Sequence, residues 1–467
     1  MKFTTDSTAI RDEHGRQRIF RGINICFKKP YSNEKIDRFL TGYLNVLNNS
    51  GSNIVRLGIT WEMLEPKQGQ KNDGLIKILH SFVKNCEENG VYVMLDMHQD
   101  LFSRKFCGDG MPSWVIDKRI LPKRYMAIWA EGYFYLDCVQ KAFNDFWRNK
   151  NGVLEKFTDI WKWYRSQFDD CENIIGNDFL NEPYITDNGR EVFCKIADGI
   201  AKENYGVNLN CSKYFEKNID RIGFIAIATR LAKTVLQNGG PKKLLKSSDN
   251  YEQFSRVING LEKYTEGFNR EYYQPFIDSL DEAVTRDEFT FFEHNYYSNL
   301  GIPFEIKTKK NYVYSPHAYD IFVDSALYND YSSNNRIAFI TDKIRENQLK
   351  MNVPVMFGEW GAGASGTKWI DHVEFVMDIM EKYQWSNIYW GYQWFNPTFT
   401  SRINRPYPVA VCGDIIEYKT DSKQRTFTLT FVQKEGFDNI ENEIYIPKKG
   451  IYRFKAKPGK YTVNLKY

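Results

Sequence analysis

An amphipathic helix, then a glycine, then a near-continuous apolar, β-branched strand: this unit recurs along the chain. It constrains the fold to a parallel sheet covered by helices on its outer side. The first helix carries Ile36, Phe39, Leu40, Tyr43, Leu44 and Leu47 on one stripe. Ser32 is its expected N-cap and Gly51 its stop, and "NIVRLGITW" follows. The next helix runs from near Leu75 to Cys86, ends at Gly90 and gives way to "VYVMLDMHQD". Further strands of this kind are "IFRGINIC", "NIIGNDFLNEP", "FTFFEH", "YVYSPHAYD", "VPVMFGEWG" and "NIYWGYQWF". Together they make eight, ending near Trp394, which is what a (β/α)8 barrel of the α/β class requires. A doubly wound open sheet is the alternative and usually has fewer strands.

The chain divides by pattern. Residues 1–400 read as the barrel, with long connections after the third and fourth strands. The first of these includes the aromatic stretch "RYMAIWAEGYFYLDC"; the second, from Tyr184 to about Phe289, is polar and helical in character. Long loops of this kind are where barrels build substrate sites. Residues 401–467 alternate apolar and polar residues between turn signals, as in "RTFTLTFVQKE" and "IYRFKAKPGKYTVNLKY". They read as a small antiparallel β-sandwich domain.

Charge is close to balance, with Lys+Arg 63 against Asp+Glu 59. No basic block stands out, so nucleic acid is not an expected partner. The eight cysteines form no Cys-x-x-Cys pair and the six histidines are dispersed. No metal site and no cofactor are therefore expected. A reducing compartment is the simplest fit to the cysteines, with one or two loop disulfides left open. "MKFTTDSTAIRDEHG" has no apolar h-region, so a cytoplasmic location is expected, or secretion if a leader has been lost.

The polar residues at the strand ends form a set. Arg56 lies in the second strand, His98 at the end of the third, and Asn181 with Glu182 at the end of the fourth. His317 and Tyr319 come at the sixth, Glu359 ends the seventh and Trp394 the eighth. In a barrel these ends share one mouth. Two glutamates there match glycoside hydrolysis, in which one carboxyl group protonates the leaving oxygen while the other attacks the anomeric carbon or activates a water. Trp394 offers a flat face for a sugar ring. Taken singly, each residue has a plainer reading: a turn glutamate, a satisfied core histidine, a buried ion pair. The set in strand order is what departs from chance. "GAGASG" (361–366) fits a Gly-x-Gly-x-x-Gly pattern, but it comes late in the chain and lacks an acid at the end of the following strand. It reads as a loop beside Glu359.

The set Arg56, His98, Asn181, Glu182, His317, Tyr319, Glu359 and Trp394 resembles the signature of glycoside hydrolase family five. "RGINICFKKP", "MHQDLFSRKFCGDGMPSW", "VQKAFNDFW", "NDFLNEP", "YSPHAYD" and "NRPYPVAVCG" are similar to the endoglycoceramidase and glycosylceramidase group within it. The resemblance implies a retaining mechanism with Glu182 as acid/base and Glu359 as nucleophile. It implies that Lys28, His98 and Asp100 contact the sugar next to the scissile bond. It also implies a glycolipid or oligosaccharide substrate and transient contact with a membrane surface. On this basis the expected reaction is hydrolysis between the glycan and ceramide of a glycosphingolipid. Tyr125 to Tyr135, with Met126, Ile128, Trp129, Tyr133 and Phe134, reads from periodicity alone as packing for the barrel's own loops; the resemblance implies instead that it flanks the aglycone. Two other readings stand beside it: an exo-acting β-glucosidase on glucosylceramide or a steryl glucoside, and a barrel that binds carbohydrate or lipid without catalysis. "FFEHNYYSNLGIP" matches the group only loosely, and the long segment after Glu182 suggests no role.

Overall fold

The computed structural model describes residues 3–467 apart from 126–128, 186–187, 215–219, 248 and 392–396. Eight parallel strands lie side by side: β1 (Arg21–Cys26), β2 (Ile54–Ile59), β3 (Tyr92–Met97), β4 (Ile174–Asp178), β5 (Phe289–Phe292), β6 (Tyr312–Tyr314), β7 (Met356–Phe357) and β8 (Ser386–Tyr389). β8 pairs back onto β1, with Asn387 opposite Arg21. The ring closes between β6 and β7. There Tyr314 bridges to Val355, and two short extensions, His317–Ala318 and Glu359–Trp360, pair in parallel. This is the expected (β/α)8 barrel.

Local signals place the helices. Helix Asn33–Ser50 begins where the Ser32 side chain accepts from the Lys35 N–H. Such a cap contributes about 1 kcal/mol. The helix ends where Gly51 turns left-handed at φ 70°. Its Ile36, Leu40, Tyr43 and Leu47 are buried, packing with outward strand residues such as Val55 and Leu57.

Inward residues split by height. At the amino ends of the strands, Ile54, Met94, Ile175, Phe289, Met356 and Ile388 form an apolar plug with Phe3 and Phe20. Two residues further along β2 and β3, the same face carries Arg56 and Asp96 instead, both fully buried. The barrel floor is thus sealed, and its upper interior is charged.

The carboxyl-terminal domain has two antiparallel sheets. Strands Gly413–Asp421, Thr426–Gln433 and Gly459–Lys466 form one. Tyr407–Val411, Asn442–Ile446 and Gly450–Phe454 form the other, and it is extended by Gln17–Arg18, Ala9–Arg11 and Thr4–Asp6. The strands between Thr4 and Arg18, assigned to the barrel by sequence, therefore pair into the sandwich, while Phe3 and Ile10 pack against the barrel floor. These strands are only two or three residues long, too short for a periodicity signal. Among the described residues, no helix is long and apolar enough to cross a membrane. All eight cysteines are free.

Candidate active site

Arg56 organises the upper barrel. Its guanidinium donates to Asp178 at 2.9 Å, Glu359 at 2.8 Å, Glu293 at 2.9 Å, Asn181 at 3.0 Å and Asn24 at 3.2 Å. Asp96 lies 3.0 Å away. A buried cation of this kind is tolerable only with such a set of partners. Arg56 fixes residues from β1, β3, β4, β5 and β7 relative to one another.

The two glutamates converge on one imidazole nitrogen. Nδ1 of His317 lies 3.2 Å from Glu182 Oε1 and 3.7 Å from Glu359 Oε2. Sharing one atom confines the carboxyl groups to the short end of the spacing seen in glycosidase pairs. Glu359 is held at both oxygens, by Arg56 and by the Tyr319 hydroxyl at 2.9 Å. Glu182 is held differently. Its side chain accepts from Asn299 at 2.7 Å, and its backbone N–H donates to Glu293 at 2.7 Å.

Glu182 sits at φ 45°, a left-handed conformation that is uncommon for a non-glycine residue. The following proline, Pro183, restricts it further. The Glu293 contact is the local compensation for that strain. The strand thus runs into a glutamate and a proline because the backbone must turn sharply there to present the carboxyl group.

Electrostatics tune Glu182. Burial raises the Glu182 pKa; His317 opposes the rise, and the charges of Glu359 and Asp100 add to it. Burial alone would depress His317, but the charges of Glu293 and Glu359 outweigh it and keep the ring protonated.

A second polar cluster lies beside the pair. Lys28 bonds to Asp100 and sits 4.6 Å from the Trp390 ring centroid. The His98 ring stacks on Trp390 at 5.5 Å and 7° between planes, and its Nδ1 contacts Asp96 at 2.9 Å. His98, Asp100 and Asp109 are spaced closely enough to hold a metal ion. The chemistry of that set argues against one. The Lys28 ammonium already occupies Asp100, and burial with the Asp100 charge pushes the Asp109 carboxyl up to about 8.

A cavity of about 320 Å³ opens from Glu182, Glu359, Lys28, His98, Asp100 and Trp390. Away from them its wall is apolar. Phe193, Ile196 and Ile200 come from helix Gly189–Tyr205, Phe254 and Ile258 from helix Tyr251–Ile258, and Leu300, Ile321 and Val323 from the loops after β5 and β6. The long segment after Glu182, silent in sequence, builds much of this wall. Trp129 and Phe134 line it as well, whereas Tyr133 is fully buried and donates to Gln99 from beneath. Met126 and Ile128 lie outside the described residues.

Trp394 also lies outside the described residues. Among the described residues at this strand end, Trp390, the first beyond β8, lines the cavity. Sequence reasoning missed Glu293, Asp96 and Asp178 too. Each was visible as a carboxylate in or just after an apolar strand, where a charge must find a partner. "GAGASG" is a loop, with Gly361 at φ 95° against the Tyr389 ring and Ala362 facing the cavity.

The family described as Cellulase (glycosyl hydrolase family 5) matches residues 12–396, and the glycoside hydrolase family 5 C-terminal domain matches residues 405–466. Endoglycoceramidase of Cyanea nozakii is 32% identical over 225 residues, 42% of this chain and 44% of that protein. Endoglycoceramidase of Hydra vulgaris is 28% identical over 206 residues, 38% of this chain and 40% of that protein. The matches thus span less than half the length of these relatives. Among solved structures, endo-glycoceramidase II from Rhodococcus sp. in its ganglioside GM3 complex superposes with a TM-score of 0.68 at 18% identity, covering 98% of this chain and 99% of that one. With both modules matched, and with a closed barrel bearing a glutamate pair at its mouth, the chain belongs to glycosyl hydrolase family 5.

Proposed function

We propose that this protein is a retaining β-glycosidase that cuts between the glycan and ceramide of a glycosphingolipid. The observation that carries the lipid part is the two-faced cavity: charged and aromatic around the glutamates, aliphatic and aromatic beyond them. A polysaccharide aglycone would leave that apolar wall wet, at a cost of roughly 25 cal/mol for each Å². The names of the two relatives, and the ganglioside in the structural neighbour, support the same reading.

Glu182 is the acid/base and Glu359 the nucleophile. Lys28, Asp100, His98 and Asn181 hold the sugar next to the scissile bond, and Trp390 lies beneath it. An oxygen of Glu359 bonds to the anomeric carbon as the bond to the aglycone oxygen breaks. The Glu182 proton passes to that oxygen, and ceramide leaves. Water then gives a proton to Glu182 while its oxygen bonds to the anomeric carbon and releases Glu359. Two inversions restore the β configuration. The raised Glu182 pKa suits the first step, because the acid must still hold its proton near neutral pH.

Lactosylceramide in detergent micelles is the test. Intact lactose and ceramide are the expected products, with the first-formed lactose β by proton NMR. Glucosylceramide cleavage with lactosylceramide untouched would make the enzyme exo-acting. An initial α anomer would overturn retention. Hydrolysis of soluble oligosaccharides without release of ceramide would overturn the lipid reading.

A lipid substrate must also be reached. Helix Asp220–Gln237 exposes Ile222, Ile225 and Leu236 together with Arg230 and Lys233. Its Phe224 stacks at 5.9 Å on Phe193 of the cavity wall. This face is our candidate for contact with the membrane surface. The double variant Ile222→Glu, Ile225→Glu is expected to lose about tenfold in rate on vesicle-embedded glucosylceramide, the equivalent of one buried aliphatic side chain. Its rate on a soluble aryl β-glucoside is expected to stay unchanged. Equal losses on both substrates would remove the docking role.

A further inference from the structure

The stretch "FFEHNYYSNLGIP" is the motif that the barrel signature leaves unexplained, and in the fold it wraps around Glu182. Glu293 takes the Glu182 backbone N–H. Six residues later, Asn299 Nδ2 donates to the Glu182 carboxyl at 2.7 Å and lines the cavity. Between them lies His294, which is buried and lies outside the cavity wall.

The contacts of His294 fix its tautomer. Nε2 faces two oxygens, Asn299 Oδ1 at 2.7 Å and the His317 carbonyl at 3.2 Å. A carbonyl only accepts, so Nε2 carries the hydrogen. Nδ1 lies 2.8 Å from the Tyr314 hydroxyl and accepts from it. The tyrosine oxygen in turn accepts from Asn347 at 3.3 Å. A doubly protonated ring would leave the Nδ1 hydrogen against a hydroxyl whose own proton must then turn away. Burial and the nearby His317 charge hold the His294 pKa down to about 3, which keeps the ring neutral. An amide beside such a ring has one orientation: its oxygen toward His294, its N–H toward Glu182.

We infer that His294 and Asn299 form a positioning relay that fixes the amide N–H on Glu182 Oε1 and so limits how far the acidity of that carboxyl group falls. This rests on the glycosidase reading for its purpose but not for its geometry. An N–H donor favours the ionised carboxylate. A glutamate that serves as acid in one half-reaction and base in the other must not be driven too far toward its protonated form. The other groups facing Glu182 are His317 after β6, Glu359 after β7, Asp100 after β3, Glu293 after β5, and the hydroxyls of Tyr133, Tyr296 and Tyr319. Among these, Glu359 and Asp100 push its pKa upward and His317 pulls it down. Asn299 supplies a further downward pull that carries no charge.

The test is a titration of Glu182 by carbon-13 carboxyl NMR, with the signal assigned by its loss in Glu182→Gln. In Asn299→Ala the Glu182 midpoint is expected to rise by about one pH unit. His294→Phe leaves Asn299 in place but frees its amide to rotate, and is expected to shift the midpoint in the same direction. The double variant is expected to move no further than Asn299→Ala, because both changes remove one interaction. An unmoved midpoint in either single variant, or additive shifts in the double, would overturn the relay. The alkaline limb of kcat/KM on an aryl β-glucoside should follow the titration in each variant. Shifted titrations in a protein with no glycosidase activity would uphold the relay and sink the function proposed above.

Discussion

Glu359→Gly is expected to hydrolyse aryl β-glucosides about four powers of ten more slowly than the parent protein, since acid and nucleophile act as one unit. Azide should then restore much of the loss. A glycine at 359 leaves space where the carboxylate stood, between Arg56 and Tyr319. A small anion seated there attacks the anomeric carbon from the α face, so the rescued product should be the α-glycosyl azide. Glu182→Gly gives the complementary result. With an activated aryl leaving group the first step needs no acid, and the trapped intermediate should yield the β-glycosyl azide. Exchanged anomers, or near-parental rates in Glu359→Gln, would refute the assignment of roles.

Removing Arg56 should cost the fold as well as the chemistry. Arg56→Met takes a single cation away from Asp96, Asp178, Glu293 and Glu359, all buried. Breaking a buried pair by deleting one partner typically costs about 3–5 kcal/mol. The sign of the pH dependence follows from the direction of the shift. Asp178 is already raised well above the usual carboxylate range, by burial first and by the Glu293 charge, with Arg56 pulling it down. Without Arg56 its folded-state value rises further above the unfolded one. The stability attached to it is then present below the unfolded value and is lost as pH climbs through the folded value. Urea unfolding should therefore show a larger deficit at pH 8 than at pH 5. Activity should be lost at both, because Glu359 loses one of its two anchors. Arg56→Lys keeps the charge without the fork and should recover part of the stability but little of the rate. A deficit independent of pH would mean that Arg56 acts by packing alone.

The barrel was legible because its strands and helices are written locally. Period and capping decide an element such as Asn33–Ser50, and both lie within the segment itself. Glu182, Glu359, His317 and Arg56 were legible for a related reason: a strand end in a barrel has only one place to be. Glu293 and Asn299 were not. They lie past the end of β5, and the Glu182 they hold is more than a hundred residues away in sequence. Nor was the contribution of the strands between Thr4 and Arg18 to the sandwich, because strands of two or three residues carry no period.

That two glutamates meet at the mouth was readable without a contact map, since both stand at strand ends of one barrel. Tertiary structure alone decided how they are held. The left-handed turn at Glu182, the neutral ring of His294 behind Asn299, and the apolar wall built by helices Gly189–Tyr205 and Tyr251–Ile258 all depend on pairing between distant segments. Burial and charge at a single atom are sums over neighbours, and the sequence names the neighbours only after the chain has folded.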